Sequence, residues 1–231
     1  MKKVVQDCIR SRKTPVQSRS AVTVEAILEA TIQVLLTVGA ERLTTTLIAH
    51  RAGVSVGTLY QYFPNKQSVL QAVLEMHLTK VVEAVERACA AAQQQQVAVM
   101  AERIVEAFVT AKLERAEASV ALYAVSSNAE ANALMQRLRR RSLKAMAGML
   151  VTATDASFED VAAISEMVYA AMVGATRAAL EGGATAKMVR SLREQLVMLC
   201  KAYLVVAGRV AAGGAAAGGV VARSPEVRSR R

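Results

Sequence analysis

The chain has 231 residues, of which 53% are hydrophobic, with three Pro, three Cys and no Trp. That length allows one large or two small domains, and a composition rich in Ala, Val, Leu and Met favours helices around a substantial core. The net charge of +10 lies mostly on the two ends, and residues 21–66 between them carry three basic and three acidic side chains, with no net charge.

Cys8, Cys89 and Cys200 are odd in number and far apart. They rule out a disulfide scaffold, show no zinc spacing and point to a reducing cytoplasm. The basic start is not followed by the apolar stretch of a signal peptide. Leu196–Val206, a long apolar run, carries Lys201 and is about half the length that a membrane-spanning helix needs.

Residues 1–20 hold Lys2, Lys3, Arg10, Arg12, Lys13 and Arg19 against Asp7. They show no apolar period and are expected to be a disordered basic arm. A first helix is expected from Thr23 to Val38, with Val24, Ile27, Leu28, Thr31, Val34 and Leu35 on one face, closed by Gly39.

The stretch TTTLIAHRAGVSVGTLYQYFPNK, Thr44 to Lys66, reads as two short helices across a tight turn. Ile48, Ala49 and Ala52 share an apolar face. Thr44 or Thr45 can cap that helix, and Gly53 can take the left-handed conformation of the turn. Ser55 can cap a second helix, Val56 to about Tyr62; Pro64 ends it, and Asn65 can cap the next. Two helices joined by a short turn with Gly make a helix-turn-helix.

On the second helix, Thr58, Tyr60, Gln61 and Tyr62 bring two phenols, a hydroxyl and an amide together. Such groups can bond phosphates and base edges. The same pattern also suits a plain helical hairpin with Leu59 and Phe63 in its core and the rest solvated.

These residues resemble the DNA-binding domain of the TetR family of bacterial transcriptional regulators. The resemblance is carried by Thr44-Thr45, Ile48-Ala49, Ala52-Gly53-Val54-Ser55, Gly57-Thr58-Leu59-Tyr60, Tyr62-Phe63 and Lys66, without a gap, and covers about 21–74 in detail. It implies DNA contacts at Thr45, Thr46, Val56, Gly57, Thr58, Tyr60, Gln61, Tyr62 and Lys66. Thr45, Tyr60, Tyr62 and Lys66 would hold phosphates. Thr46, Val56, Gly57, Thr58 and Gln61 would face bases, with Val56 or Thr58 able to touch a thymine methyl. Leu47 departs from the family, which usually has a polar residue there.

A long helix is expected from Asn65 to about Ala92, a strut between two domains. His77 lies near its apolar stripe and reads as structural. Gln93–Gln96 reads as a polar link. Further helices are expected at Val97–Ala116, Ala118–Ser126, Asn128–Thr152, from Ser157 to about Leu180, and from Thr185 or Ala186 to about Val206. The run Arg137, Arg139, Arg140, Arg141 and Lys144 reads as a solvated helix face more readily than as an anion site. Beyond that, 208–231, with Gly213-Gly214 and Gly218-Gly219 and an Arg-rich end, reads as a flexible tail.

The last two helices, about 157–181 and 185–206, have more apolar surface than one neighbour covers. Met172 lies on one such face. Two helices from each of two subunits would form a four-helix interface, which is also where TetR-family proteins dimerise.

The expected fold is therefore all-α. An arm (1–20) precedes a three-helix helix-turn-helix domain (21–66), a helical ligand-binding and dimerisation domain (67–207) and a tail (208–231). No Gly-rich phosphate loop or metal-spaced His/Cys set occurs, so no enzyme, cofactor or metal is expected.

The expected function is a homodimeric, cytoplasmic repressor released from a palindromic operator by a small-molecule effector. The alternative is a helical small-molecule-binding or interaction module that does not read an operator. Met100, Phe108, Tyr123, Met135, Met146, Met149 and Tyr169 are candidate pocket residues, since Met-rich walls adapt to irregular ligands; each could equally pack the core. The resemblance implies an apolar or cationic effector. Glu102, Glu106, Glu114 and Glu166 are the candidate anions, which leaves cationic and neutral ligands both open.

Overall fold

The structure is a computed structural model that describes residues 18–125, 129–183 and 185–210. Among the described residues there are nine α-helices and one two-residue ladder. Helix α1 (Ser18–Arg42) starts five residues before the expected Thr23, and Gly39, at φ 78° and ψ 170°, breaks its regular course where a cap was expected. By length and composition Ser20–Arg42 of α1 could cross a membrane, with an 18-residue stretch of mean hydropathy 1.7, a run that the sequence reading, which weighed Leu196–Val206, did not consider. Its apolar face is instead in a protein core: Val24, Ile27, Leu28, Val34 and Leu35 are all buried.

Helices α2 (Thr45–Ala52) and α3 (Val56–Tyr62) follow, and α4 (Lys66–Ala91) starts directly after them. Asn65 and Ser68 form a reciprocal capping box at the α4 N-terminus: the Ser68 N–H donates to Asn65 Oδ1 at 2.9 Å and the Asn65 N–H to Ser68 Oγ at 3.3 Å. This satisfies two orphan donors and fixes where the long helix begins.

The second half contains α5 (Val97–Leu113), α6 (Ala116–Val125), α7 (Ala129–Leu150), α8 (Val161–Glu181) and α9 (Ala186–Ala207). The four-Gln link docks onto the loop after α7. The Gln94 N–H donates to Thr152 Oγ1 at 2.9 Å, and the Val97 N–H to Asp155 Oδ1 at 2.8 Å. Asp160 caps α8, accepting from the Ala163 N–H at 2.9 Å, so the helix begins later than the expected Ser157. Ser157 lies in strand β1 (Ala156–Ser157), which pairs antiparallel with β2 (Arg209–Val210). The expected tail therefore begins with two paired residues, and residues 211–231 lie outside the described ones. Gly208 makes that turn possible: a Cβ there would sit 2.7 Å from the Ala156 Cβ, closer than packing permits.

Two apolar cores share α4. The first gathers Ile27, Ile48, Leu59, Phe63, Val69 and Val73 with Leu122 of α6 and Leu134 and Leu138 of α7. The second gathers Val81, Val85 and Cys89 with Met100, Ile104, Met146, Met149, Met172 and Leu204. The helix-turn-helix unit is thus not self-contained; α6 and the first turns of α7 close its core. Burying these side chains at about 25 cal/mol per Å² is what holds the two halves together.

Three of the five cations in the basic run on α7 are held in ion pairs, while Arg140 and Lys144 are exposed. Arg137 pairs with Glu75 and Arg139 with Glu166. Arg141 holds Glu86 in a bidentate pair at 2.9 and 2.7 Å. These pairs clamp α7 to α4 and α8. Each is partly solvated, so each contributes about 1 kcal/mol or less.

Candidate DNA-reading helices and effector cavity

Local chemistry places α2 and α3. The Leu47 N–H donates to Thr44 Oγ1 at 3.2 Å, which caps α2. Gly53 ends it in the left-handed region, φ 69° and ψ 30°, where a side chain would be strained. The Thr58 N–H donates to Ser55 Oγ at 2.9 Å, which caps α3. The Phe63 N–H closes its last turn on the Leu59 carbonyl at 2.9 Å. Ile48, Ala49, Leu59 and Phe63 are buried, and their burial sets how the two helices cross.

The nine residues expected at DNA do not share one environment. Thr46, Gly57, Tyr60 and Gln61 are exposed, whereas Thr45, Thr58, Tyr62 and Lys66 are half-buried. Thr45 Oγ1 and Tyr60 Oη lie 3.0 Å apart in a hydrogen bond that either hydroxyl can donate, joining the start of α2 to α3. Thr58 Oγ1 is 2.8 Å from Ser55 Oγ. Val56 packs against the first core, which leaves it only partly available to a base. Lys66 Nζ donates to the Ala40 carbonyl at 3.4 Å, so its ammonium also secures the end of α1. A Cβ on Gly57 would meet only Ser55 Oγ, at 3.7 Å; the fold does not require glycine there, but a bare backbone allows close approach from outside. Leu47 is 43% exposed, an apolar residue on an open face.

A polar chain runs from this unit into the second half. Arg51 Nε donates to Gln33 Oε1 at 2.6 Å, and Gln33 Nε2 donates to Glu29 Oε1 at 3.3 Å. Glu29 then accepts two bonds from the Arg115 guanidinium, both at 2.8 Å. The bond from Arg115 holds the Glu29 carboxyl below its ordinary pKa. Sequence reasoning missed this latch, because 86 residues separate its partners and no local signal joins them.

His77 is buried, with Nε2 2.8 Å from Ser119 Oγ. Ser119 donates its one proton to the Lys112 carbonyl at 3.2 Å, so His77 must be the donor, as the neutral Nε2–H tautomer. Desolvation, aided by the charges of Lys112, Lys80 and Arg115, pushes its pKa down to about 4. Burial pushes the Cys89 and Cys200 thiols up, to about 12 and about 11; neither is a thiolate at neutral pH.

A cavity of about 110 Å³ lies between α4, α5, α7 and α8. Leu78, Val81 and Val82 of α4 form one wall, with Phe108 and Lys112 of α5 beside them. Met135, Leu138 and Ser142 of α7 and Tyr169 and Val173 of α8 complete it. Phe108, Met135 and Tyr169 were expected in a pocket, and they line this one. Met100, Met146 and Met149 do not: each is fully buried in the second core, Met146 and Met149 on the same face of α7 as Ser142 but further along the helix. The side chain of Tyr123 lies outside the described residues. Lys112 is 4% exposed, and sequence reasoning passed over it. The expected anions are elsewhere: Glu102 pairs with Lys201, Glu106 with Arg193 and Glu166 with Arg139. None of the four expected carboxylates lines the cavity.

Met172, expected at a subunit interface, is fully buried in its own chain, because α8 turns Ile164, Val168 and Met172 inward together. The outward apolar residues are Met167 of α8 and Met188, Met198, Leu199, Val205 and Val206 of α9.

Comparison with known proteins supports this architecture. Residues 27–73 match the family model for bacterial regulatory proteins of the tetR family. Residues 96–204 match the tetracyclin repressor-like C-terminal domain. The class C tetracycline repressor protein of Escherichia coli is 42% identical over 55 residues, 24% of this chain and 25% of that protein, so the match spans about a quarter of the relative.

Among solved structures, a protein from Mesorhizobium loti assigned to the TetR-family transcriptional regulators superposes with a TM-score of 0.70 at 17% identity, over 84% of this chain and 100% of that one. SmeT, the repressor of a Stenotrophomonas maltophilia multidrug efflux pump, gives 0.60 at 22% identity over 87% and 97%; it is also known in complex with triclosan, with a TM-score of 0.59 at 22% identity over 88% and 99%. The fatty acid degradation regulator FadR of Bacillus halodurans gives 0.63 at 18% identity over 78% and 94%. These structural likenesses bear on the fold. Together with the two matched domains, the capped helix-turn-helix and the helical second half make this chain a member of the TetR family of bacterial transcriptional regulators.

Proposed function

We propose that the protein is a homodimeric, cytoplasmic repressor that binds a palindromic operator and is released from it by a small-molecule effector, without catalysis or a cofactor. One observation carries the effector part. Leu78, Val81 and Val82, which wall the cavity, belong to α4, the helix separated from α3 by three residues. A ligand that spreads the cavity moves α4 and with it the spacing of two recognition helices. It must favour the non-binding spacing, or it shifts nothing.

In this reading the exposed Thr46, Gly57 and Gln61 face base edges, with Val56 and Thr58 at the margin. The Thr45–Tyr60 pair, Tyr62 and Lys66 hold phosphates, which position the protein without reading sequence. Dimerisation uses the outward face of α8 and α9, where Met167, Met198 and Leu199 are exposed. Exposed apolar residues concentrated on two adjacent helices favour an interface over a solvated surface. Two-fold symmetry then implies half-sites about one helical turn apart, or a multiple of it.

A mobility-shift assay with the promoter region beside the protein's own gene tests this directly. A discrete complex with a palindromic site supports it. Binding equally weak on any DNA would leave a ligand-binding module that does not read an operator.

A further inference from the structure

Taking that cavity as the effector site proposed above, we infer that its ligand is uncharged: one apolar ring with a single hydroxyl or carbonyl oxygen, held by Ser142 and Tyr169. Both residues line the cavity, one from α7 and one from α8. Ser142 is only 3% exposed. Buried hydroxyls on other helices of this chain turn back onto their own backbone: Thr31 Oγ1 donates to the Ile27 carbonyl and Ser165 Oγ to the Val161 carbonyl, each at 2.7 Å. Among the described residues Ser142 makes no such bond, although a buried polar group left alone is costly. Tyr169 likewise lines the cavity with no hydrogen bond from its phenol to a described residue. Two unused hydroxyls in one small cavity are what a ligand oxygen completes.

The charges around the cavity are of both signs and already engaged. Glu166 pairs with Arg139 across α7 and α8, and both act on Tyr169. Lys112, only 4% exposed, has an interaction of its own within the protein. An ionic ligand of either sign would give up its hydration without meeting a free counter-charge, and that cost exceeds what hydrogen bonds return. An uncharged oxygen escapes it. Burial raises the Tyr169 pKa, with Arg139 opposing and Glu166 adding, so its phenol keeps its proton and can donate at pH 7.

Size limits the body. The cavity holds about 110 Å³, somewhat less than the ~150 Å³ that accepts benzene. One ring fills it, against the apolar surface of Leu78, Val81, Val82, Phe108 and Val173.

The test is calorimetric titration of the full-length protein at pH 7 with cyclohexanol, cyclohexanecarboxylate and cyclohexylamine, which share one ring and differ in charge. Wild type should bind cyclohexanol at least about tenfold more tightly than either ion, a modest share of the cost of burying an uncompensated charge. Ser142→Ala and Tyr169→Phe should each weaken cyclohexanol about fivefold, the weight of one net hydrogen bond. Neither should lower the melting temperature of the ligand-free protein, because neither removes a bond within it. Tighter binding of either ion overturns the inference, as does a cyclohexanol affinity that neither variant changes, or no binding of any of the three. A clearly lower melting temperature for Ser142→Ala overturns it too, since that hydroxyl would then have a partner in the fold. Operator release is read separately by mobility shift. If an ion binds more tightly and releases the operator, the cavity remains the effector site and only the uncharged ligand is wrong. If cyclohexanol binds as expected and the operator stays bound, the ligand class is right and the effector reading falls.

Discussion

His77 gives a prediction whose size follows from its surroundings. It is neutral in the folded protein, with a pKa of about 4 against an ordinary 6.5. In the unfolded chain it gains a proton near pH 6.5, so the unfolded state binds more protons through that window. The stability from keeping His77 neutral is full above pH 6.5 and is lost as pH falls towards 4. Between pH 7.5 and pH 5 the loss is about 2 kcal/mol, since each unit of difference is worth about 1.4 kcal/mol. His77→Gln keeps a donor to Ser119 but cannot titrate. Urea unfolding at fixed protomer concentration, repeated at pH 7.5, 6 and 5, compares the two proteins; the concentration matters because an oligomer is stabilised by mass action. The wild type should lose about 2 kcal/mol more than the variant across that range. Parallel pH dependence of the two would refute the argument that His77 folds as a buried neutral base.

Tyr60→Phe should weaken binding to all DNA sequences alike by about 1 kcal/mol, through loss of a phosphate bond and of the Thr45 contact; a sequence-selective loss in anisotropy titrations would show another role. Gln61→Ala should relax base preference in a selection from random sites, and unchanged preference would remove it from the reading set. Met198→Arg should give folded monomers by sedimentation, with only the concentration-dependent part of the melting temperature lost, whereas Met172→Arg should lower stability by several kcal/mol through an unpaired buried charge; a folded monomer from Met172→Arg would reverse that assignment. Deleting residues 2–17 should flatten the salt dependence of DNA binding, since each phosphate neutralised adds about 0.9 to the log–log slope. An unchanged slope would make the arm a bystander.

What the sequence determined by itself is the helix-turn-helix and the order of helices. Thr44, Gly53, Ser55, Pro64 and Asn65 act within four residues of their own positions, through caps and a left-handed turn. Such signals depend on nothing distant, so they are legible before the fold is known. The apolar stripe of α1 was legible for the same reason, though its first turn was not, because residues 18–22 lack a strong cap or period.

The tertiary structure decided which face of each helix meets what. Met100, Met146 and Met149 are wholly inside a packed core, while Phe108 and Tyr169, which belong to or pack against the same core, also line a cavity together with Met135. Met172 turned inward and Met198 outward. The α7 arginines found Glu75, Glu86 and Glu166, each on another helix. Lys112 looked like any surface lysine until α4, α7 and α8 closed over it. Periodicity tells that a helix has an apolar side. Whether that side faces a neighbour, a void or a second subunit depends on how several helices cross, and that is set by contacts far apart in the chain.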